Sequence, residues 1–341
     1  MRYILKELIK IKNGKDYKMC KSGSIPVYGT GGIINYIGEF LYNDESILLP
    51  RKGSLSNIIY VNQPFWTVDT MYWTYVNKEI VLPKYLYFYL KLLDLSSRDS
   101  GSTLPSMTFD AYYELEVEIP SIKKQKKILD LLNPIEEKIM INTKINDNLE
   151  KQLVSYYTYY FLQNNTSTEK ISLDKVADLY QPETISIKQL DNNLDYFVFG
   201  ANGIIGKYHK YNHENYQIAI ACRGANCGIT LMTLPKSWIT GNAMVVKPKE
   251  YFPYKEFLYQ TLKLKSPSYL TSGSAQPQIT RENLSLYEID INDKKKLDKF
   301  ENFASRIRKN IISNKLENIS LIKLREFLLP ILMNGQATIS E

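Results

Sequence analysis

The sequence predicts an α+β protein made of two similar mixed α/β domains, which are separated by two long antiparallel helices that form a coiled coil. Three observations lead to this pseudo-two-fold internal repeat. The second half of the chain repeats the motif order of the first half at an offset of 170 to 173 residues. Each half contains short β-type runs broken by Gly, Asn and Pro. Each half then ends in a long stretch without Gly, whose apolar residues recur at heptad spacing.

The repeat is visible as an ordered series of matched motifs. The matched pairs are Gly29–Tyr36 with Gly200–Lys207, Lys52-Gly53 with Arg223-Gly224, Trp66 with Trp238, Pro83 with Pro253, and residues 101–105 with 273–277. Small insertions in loops would produce the drift in the offset. The chain is therefore predicted to be a tandem duplication.

The predicted boundaries follow this repeat. They are 1–120 for the first α/β domain, 121–163 for the first long helix, 164–291 for the second domain, 292–335 for the second long helix, and 336–341 for a tail. Strands are expected at Ser46–Leu49 and Ile58–Val61, and a shorter helix is expected to begin near the matched prolines, because Pro is favoured in a first helical turn. Pro134 lacks an amide proton and is expected to kink or break the first long helix.

Asparagine interrupts the apolar ladder of both long helices at the same two rungs. These rungs are Asn142 and Asn146 in the first helix, and Asn314 and Asn318 in the second. Buried Asn lowers stability but fixes the register and orientation of paired helices, so we expect these side chains to lie inside the helix pair. The alternative is that these rungs face solvent and that Ile141, Ile145 and Leu316 form the core.

The distribution of charge is more informative than its total. The chain carries 43 basic and 36 acidic side chains, which gives a net charge of +7 at pH 7. Between Ala201 and Lys249 there are six basic residues and one acidic residue, Glu214, so this segment is a candidate site for nucleic acid. An ordinary solvated basic loop is the alternative.

The composition argues against a membrane span and a disulfide framework. No run of 18 apolar residues occurs, and the N-terminus lacks the apolar core of a signal peptide. Cys20, Cys222 and Cys227 are too scattered to predict disulfides or a zinc knuckle. We therefore expect a cytoplasmic protein that does not contact a membrane.

The motifs of the relevant enzymes are missing from the sequence, so we expect no catalytic residues and no metal site in this chain. It has neither a P-loop nor the cofactor loop and Asn/Asp-Pro-Pro-aromatic motif that a DNA methyltransferase needs. His209 and His213 are four residues apart, but a third zinc ligand is not evident, and two surface histidines near a turn are the favoured interpretation.

The chain resembles the specificity subunits of type I restriction–modification systems over nearly its whole length. The resemblance rests on the duplicated order of α/β domain and long helix, and on the closing segment Leu324–Gln336. Residues 101–108 and 273–280 are similar to the loop near the end of each target recognition domain in that family. The second half departs from the family pattern at Asp178–Pro182, which lacks the Gly-Lys found in Ile9–Lys15.

The resemblance implies a DNA-binding subunit and not an enzyme. Each α/β domain would be a target recognition domain that reads one half of a split, asymmetric double-stranded DNA target, and the helix pair would act as a ruler between them. Two adenine-N6 methyltransferase subunits would dock on the chain, and restriction subunits that move along and cleave DNA would join them. S-adenosylmethionine, ATP and magnesium would belong to these partners, so no cofactor is expected in this chain.

The expected DNA contacts lie in Gly-rich loops of both halves, where the backbone can approach a duplex closely. Lys52 and Arg223 occupy matched positions, and so do Ser54 and Asn226. Glutamine suits bidentate contact with adenine. The expected DNA-binding residues are Arg51, Lys52, Ser54, Thr103, Ser106, Thr108, Lys207, Arg223, Asn226, Lys249, Gln276, Gln278, Thr280 and Arg281. The alternative is that the glycines and threonines of these loops only shape the turns.

Two other functions fit parts of the sequence. A helical scaffold protein would bind other proteins through its long helices and leave the basic loops incidental, and steeply salt-dependent DNA binding would argue against it. A non-catalytic fragment of a fused methyltransferase would have its catalytic half elsewhere, and an assay of this chain with a labelled methyl donor would test for activity.

Overall fold

The chain forms two compact units, of which the first combines two segments that are distant in sequence and the second is one continuous segment. A computed structural model describes residues 1–93, 95, 105–163, 169–273, 277–291 and 293–336. The first unit comprises Met1–Met140 together with the residues from Asn318 onward, and the second unit comprises Ile141–Glu317. Each unit therefore contains one α/β domain and part of both long helices.

In the first unit, short strands and helices precede the first long helix. The strands are β1 (Arg2–Ile4), β2 (Ile9–Lys12), β3 (Ser22–Gly29), β4 (Gly32–Ile37), β5 (Ser46–Pro50), β6 (Ile59–Val61), β7 (Trp66–Thr67), β8 (Met71–Val76) and β9 (Glu116–Glu118). The helices are α1 (Leu5–Leu8), α2 (Pro83–Lys91) and α3 (Phe109–Tyr113), followed by α4 (Ile122–Tyr157) and a π-helical turn over Thr158–Gln163. The predicted strands near Ser46 and Ile58 and the helix at Pro83 are confirmed.

The second unit repeats this order. Its strands are β10 (Glu169–Ser172), β11 (Ala177–Tyr180), β12 (Tyr196–Gly200), β13 (Gly203–Tyr208), β14 (Ile218–Ala221), β15 (Thr230–Met232), β16 (Trp238–Ile239), β17 (Ala243–Pro248) and β18 (Glu288–Ile291). Its helices are α5 (Leu173–Val176), α6 (Lys255–Leu264) and α7 (Arg281–Ser285), followed by α8 (Lys294–Met333); the 3-10 turns are Ile187–Gln189 and Pro267–Leu270. Both long helices are close to their predicted bounds.

The two units have the same strand order, which confirms the internal repeat at the level of hydrogen bonding. A four-stranded sheet has the order β2-β8-β5-β6 in the first unit and β11-β17-β14-β15 in the second. A three-stranded sheet has the order β4-β3-β7 and β13-β12-β16, respectively, and a two-stranded sheet pairs β1 with β9 and β10 with β18.

Each unit has its own apolar core, to which both long helices contribute. In the first unit, Leu132 of α4 and Leu332 of α8 belong to the core that also contains α2 and α3 residues. In the second unit, Leu153 of α4 and Phe300 of α8 belong to the core built around α6. Full burial of such a side chain stabilises a fold by roughly 1.5–3 kcal/mol, so the helix segments are integral parts of the units.

The long helices are antiparallel within the first unit. Glu136 of α4 forms an ion pair with Arg325 of α8 at 2.6 Å. One turn further along α4, the carbonyl of Ile139 accepts a hydrogen bond from the side chain of Asn318 at 3.3 Å. Position along α4 therefore increases as position along α8 decreases, which is the predicted antiparallel arrangement.

The same direction holds in the second unit, where asparagines lie between the helices. The Asn142 amide donates to the Glu317 carboxylate at 2.7 Å, and the Asn314 amide donates to the Asn146 side-chain oxygen at 2.9 Å. The Asn146 amide in turn donates to the Ile311 carbonyl at 3.2 Å. These bonds satisfy the polar groups that burial removes from water.

The rungs that carry asparagine in the first long helix face the second long helix. Asn142 is 1% exposed and Asn146 is 8% exposed. Ile141, Ile145 and Leu316 are between 39% and 48% exposed, so they do not form the core of the pair, as the alternative interpretation required. Apolar residues on neighbouring rungs supply the burial, and the asparagines supply directional bonds that other registers would leave unmade.

The predicted break at Pro134 is wrong. Helix α4 continues through this residue from Ile122 to Tyr157. A proline inside a helix costs about 3 kcal/mol because it removes one backbone hydrogen bond and crowds the preceding turn. The neighbouring rungs Leu132 and Ile135 are buried, and their burial offsets a cost of this size.

Candidate nucleic-acid interface

Two loops of the first unit that the sequence singled out are joined by backbone hydrogen bonds. The Gly53 amide donates to the Pro105 carbonyl at 2.8 Å, and the Met107 amide donates to the Arg51 carbonyl at 3.0 Å. Lys52 and Ser106 thereby face each other in a short antiparallel bridge. Residues more than 50 positions apart in sequence thus lie side by side.

The second unit joins its matching loops in the same way. The Gly224 amide donates to the Pro277 carbonyl at 3.0 Å, and the Ile279 amide donates to the Cys222 carbonyl at 3.0 Å. Arg223 and Gln278 face each other in the equivalent bridge. Only backbone atoms make these bonds, so the two units hold different side chains in the same local backbone geometry. We call this pair of bonded loops the backbone frame of each unit.

A hairpin turn adds a third loop to this surface in each unit. In the first unit, the turn between β3 and β4 is held by the Asn57 side chain, which donates to the Thr30 carbonyl. In the second unit, the Asn226 side chain donates to the Asn202 side chain in the turn between β12 and β13. In the first unit, the loop at Lys52-Gly53, the loop from Pro105 to Met107 and the turn between β3 and β4 together form what we call the three-loop surface. In the second unit, it consists of the loop at Arg223-Gly224, the loop from Pro277 to Ile279 and the turn between β12 and β13.

Glycine is required at the matched loop positions. Gly53 has φ of +91° and Gly224 has φ of +80°, in the left-handed region that disfavours residues with a Cβ. This conformation turns the backbone so that Lys52 and Arg223, one residue earlier, are both exposed. The predicted pair of matched cations therefore lies on the surface of its unit.

The three-loop surface of the second unit encloses a cleft. Its volume is about 540 Å³, and its lining includes Ala201, Arg223, Asn242 and Gln278. Arginine, asparagine and glutamine are the side chains that hydrogen-bond most specifically to base edges in the major groove. The arrangement thus offers several polar groups of complementary chemistry to one ligand.

Asn242 was missed in the sequence, although it completes the cleft. It lies 19 residues after Arg223 and 36 residues before Gln278, and its carbonyl accepts from the Cys222 amide at 3.2 Å. The pairing of β14 with β17, which places Ala221 opposite Ala243, brings it there. This pairing is non-local, and the remaining signal, an exposed polar residue after Thr-Gly, is too weak to single it out.

Arg51 differs from its partner in the repeat. Its guanidinium donates to the Asp69 carbonyl at 3.3 Å, and the side chain is partly buried. The matched residue of the second unit is Cys222, which is fully buried and accepts a hydrogen bond from the Gln181 side chain at 3.1 Å. Burial raises the pKa of the Cys222 thiol, so this position is structural in the second unit.

The two matched threonines cap helices. The Thr108 hydroxyl accepts from the Ala111 amide at 3.2 Å, and the Thr280 hydroxyl accepts from the Asn283 amide at 3.1 Å. Such caps stabilise a helix by about 1 kcal/mol. This structural role matches the alternative interpretation in which the threonines shape the turns, while their candidate DNA contacts stay predictions.

Three other expected residues lie away from the three-loop surface. Lys207 pairs with Phe197 at the end of the hairpin opposite its turn, and its ammonium donates to the Asn192 carbonyl at 2.7 Å. Lys249 follows the far end of β17, and its ammonium donates to the Asp174 carbonyl at 2.7 Å. Arg281 lines a surface together with Lys249 and with the carboxylates of Asp174, Asp178 and Glu282.

The remaining expected residues divide into two groups. Ser54 is exposed, and Ser106 and Asn226 are partly buried within the three-loop surfaces. Thr103 and Gln276 lie outside the residues that the structure describes. The contact of Gln276 with adenine therefore stays a prediction from the sequence.

A buried ionic cluster in the second unit was also missed. The Arg308 side chain is 1% exposed and contacts Glu256 at 3.1 Å and Glu150 at 2.5 Å. Burial raises the pKa of Glu256 to about 7, although the nearby Arg308 pulls it in the opposite direction. Charged residues at heptad-adjacent positions are usually solvated, so the sequence alone gave no reason to bury them.

His213 is buried, so the interpretation as a surface histidine is wrong for this residue, and its hydrogen-bond partners account for its burial. Its Nε2 lies 2.9 Å from the Tyr180 hydroxyl, and its Nδ1 lies 2.6 Å from the Asn212 side-chain oxygen. Burial and the ammonium groups of Lys247 and Lys255 lower its pKa. Among the described residues, no group of three or more His, Cys, Asp or Glu side chains is arranged to hold a metal ion.

Within the residues that the structure describes, none of the helices combines the length and apolar character that a membrane span needs.

Two known proteins have sequences that are similar to this chain. The chain is 28% identical over 138 residues to the type I restriction enzyme HindI specificity subunit of Haemophilus influenzae, a match that spans 37% of this chain and 28% of that protein. It is 22% identical over 344 residues to the MjaIX specificity subunit of Methanocaldococcus jannaschii, which spans 88% of this chain and 79% of that protein. The chain thus covers less than two thirds of the first relative and more than two thirds of the second.

A solved structure has the same fold. The crystal structure of a type I restriction–modification system S subunit from M. genitalium superimposes with a TM-score of 0.60 at 16% identity, over 100% of this chain and 96% of that one. The family model for the type I restriction modification DNA specificity domain matches twice, at residues 2–151 and 165–318. These two matches include both α/β domains and most of both long helices, and the chain therefore belongs to the type I restriction modification DNA specificity family.

Proposed function

We propose that this chain is the sequence-specificity subunit of a type I restriction–modification complex, and that each unit binds one half of a bipartite, asymmetric double-stranded DNA target. The observation that carries the proposal is the occurrence of one backbone frame twice with different side chains. Lys52 and Ser106 face each other in one frame, and Arg223 and Gln278 face each other in the other. A repeated frame with unlike side chains suits a target whose halves differ in sequence.

The chemistry of the second three-loop surface favours direct contact with base edges. The Arg223 guanidinium can donate two hydrogen bonds to guanine, and the amides of Asn242 and Gln278 can each donate to and accept from adenine. The first three-loop surface offers Lys52, Ser54 and Ser106. Their side chains are shorter, or hydrogen-bond with less directional preference, than those of Arg223, Asn242 and Gln278. Phosphate contacts by other cations would then position the duplex without reading its sequence.

We further propose that two copies of an adenine-N6 methyltransferase subunit dock on the long helices. In the second unit, Tyr156, Tyr159 and Phe303 line a groove of about 540 Å³ on these helices. In the first unit, Leu131, Leu324 and Phe327 are 46%, 45% and 65% exposed. At the repeat offset of 172 residues, these three positions correspond to Phe303, Gln152 and Ser155, respectively. All three of these residues line the groove of the second unit. The two units thus carry apolar residues on corresponding parts of the helix pair, although not at identical positions, and this supports two copies of one partner.

In this proposal, partner subunits catalyse the reactions. Methyl transfer from S-adenosylmethionine would be carried out by the methyltransferase subunits, and ATP- and magnesium-dependent movement and cleavage by restriction subunits. This chain would supply sequence recognition only, and it would transfer no labelled methyl groups when assayed alone.

Substitution of one reading residue tests the proposed function. Arg223→Ala should abolish base preference at one or two positions of one half-site and leave the other half-site unchanged, because the frame of each unit is separate. The affinity for the intact target should fall by about 1–3 kcal/mol. Selection of a randomised duplex library by the purified chain, followed by sequencing, measures both effects.

Matched variants make this test specific. Lys52→Ala should alter the opposite half-site, while Lys188→Ala, which removes an exposed cation outside the three-loop surface, should alter neither. An unchanged sequence preference in both Arg223→Ala and Lys52→Ala would refute the assignment of the three-loop surfaces. Failure of the unsubstituted chain to bind DNA with a steep salt dependence would favour a scaffold protein instead.

A further inference from the structure

An apolar pair of residues projects from the hairpin of each unit. In β4, Ile33 and Ile34 are 48% and 50% exposed, and in β13, Ile204 and Ile205 are 50% and 45% exposed. We call these the isoleucine pairs. Exposure of large apolar side chains at matched positions of a duplicated fold is unfavourable in water unless a partner covers them.

Both hairpins contain a β-bulge at the same place. The register of β3 with β4 shifts after Val27 and leaves Ile34 without a partner across the hairpin. The register of β12 with β13 shifts after Val198 and leaves Ile205 without one. A bulge redirects a side chain and bends its strand, and it tends to occur next to functional sites. The shared bulge therefore points to a shared role for Ile34 and Ile205.

A glycine on the opposite strand seats each bulged isoleucine. A Cβ on Gly29 would lie 3.5 Å from Ile34 Cγ2, and a Cβ on Gly200 would lie 3.2 Å from Ile205 Cγ2. A Cβ at 3.2 Å would crowd Ile205, so glycine is favoured at position 200, whereas 3.5 Å from Ile34 is an ordinary contact distance. Each bulged isoleucine therefore packs against the opposite strand with one side and stays about half exposed on the other.

The hairpin turn next to each isoleucine pair contacts a loop that carries an exposed cation. The hairpin turn of the first unit contacts the loop of Lys52 through the bond from Asn57 to Thr30, and that of the second contacts the loop of Arg223. A partner that covered the isoleucines would therefore also meet the loop that carries the cation. A duplex offers phosphates to the cations and apolar base surface to the isoleucines, so its chemistry complements both.

We propose that the isoleucine pairs make apolar contact with the bases of duplex DNA, one pair in each half-site. This proposal rests on the proposed function and adds a second, uncharged type of contact to it. Thymine presents a methyl group in the major groove, and an isoleucine held against it excludes water from both surfaces. Such a contact contributes affinity without neutralising a phosphate, so it leaves the salt dependence of binding unchanged.

Serine substitutions in the hairpins test this contact. The probe is the duplex that the unsubstituted chain enriches most from a randomised library. Ile34→Ser and Ile205→Ser should each weaken binding roughly tenfold, as expected for the loss of one buried apolar side chain. The slope of log affinity against log salt should stay the same, as expected for a contact that neutralises no phosphate.

Control variants separate the contact from effects on folding. Ile187→Ser changes an isoleucine that is 80% exposed in the same unit but outside the hairpin, and it should not affect binding. Ile33→Ser and Ile204→Ser, which do not rest on the glycines, should weaken binding with unchanged thermal unfolding. Unchanged affinity in all four hairpin variants, together with weaker binding by Arg223→Ala, would overturn the contact and leave the proposed function intact. If the unsubstituted chain bound no duplex, the proposed function itself would fall, and this contact with it.

Discussion

At the scale of single residues, the two units attach their domains to the long helices by different chemistry. In the first unit, the buried Gln125 side chain accepts from the Leu82 amide at 2.7 Å, just before α2. In the second unit, the Glu301 carboxylate accepts from the amides of Glu256 and Phe257 in α6 at 3.0 and 3.2 Å. One attachment is neutral and the other is ionic. Stability that depends on protonation is therefore expected in the second unit.

Glu256 should make the second unit less stable as pH rises. Burial raises its pKa from 4.5 to about 7, so between these values the folded chain holds a proton that the unfolded chain has released. The free energy of unfolding then falls as pH increases through this window, by up to about 3 kcal/mol. Glu256→Gln should flatten this dependence, as measured by urea unfolding at intervals from about pH 5 to about pH 8.

A surface substitution provides the control for this pH effect. Glu288→Gln removes a carboxylate that is mostly exposed and paired with Lys170, so it should leave the pH dependence unchanged. An equally steep loss of stability in Glu256→Gln and in the unsubstituted chain would show that another group titrates. Glu301, whose pKa burial raises to about 6, would then be the next residue to substitute.

At the scale of elements, the long helices show what could and could not be predicted from the sequence. Heptad spacing is a local property, so it was sufficient to predict both helices and the rungs that face inward, and the internal repeat predicted their antiparallel direction. The hairpin bulges and the cleft beside Arg223 depend on strand pairing between distant segments, and no short pattern encodes that pairing. Pro134 does not end helix α4, because its cost is local whereas the burial of Leu132, which offsets it, depends on residues distant in sequence.

The asparagines of the helix pair should be coupled energetically. Asn314→Leu alone leaves the buried oxygen of Asn146 without its donor and should destabilise the chain by about 1–3 kcal/mol. Asn146→Leu with Asn314→Leu removes both partners and should restore much of that loss, since leucine is close in volume and favours helix. A double-mutant cycle from chemical unfolding measures the coupling, and strictly additive effects would contradict it.

At the scale of the whole molecule, residues from both ends of the sequence belong to one structural unit. The first unit needs the last part of α8, because Leu329, Leu332 and Met333 belong to the same core as Leu5 and Leu8. The second unit is continuous from Ile141 to Glu317. The repeat predicted two equivalent halves, but it did not reveal that one half is completed by residues from the far end of the chain.

Removal of the later part of α8 should therefore damage the units unequally. In a chain that ends after Glu317, amides of the first unit should lose protection against hydrogen exchange, whereas those of the second unit should keep most of theirs. Hydrogen exchange followed by mass spectrometry measures each unit separately. A chain that ends after Gln336 is the control and should match the full chain. Equal loss of protection in both units of the shorter chain would contradict the division.

The backbone frames of the three-loop surfaces have an evolutionary consequence. The bonds from Gly53 to Pro105 and from Gly224 to Pro277 use no side-chain atoms. Mutations at Lys52 or Arg223 can therefore change the chemistry that each surface presents without a penalty in folding. Selection could then adjust one half of the molecule while the other half keeps its inherited preference, and new combinations would arise by single substitutions.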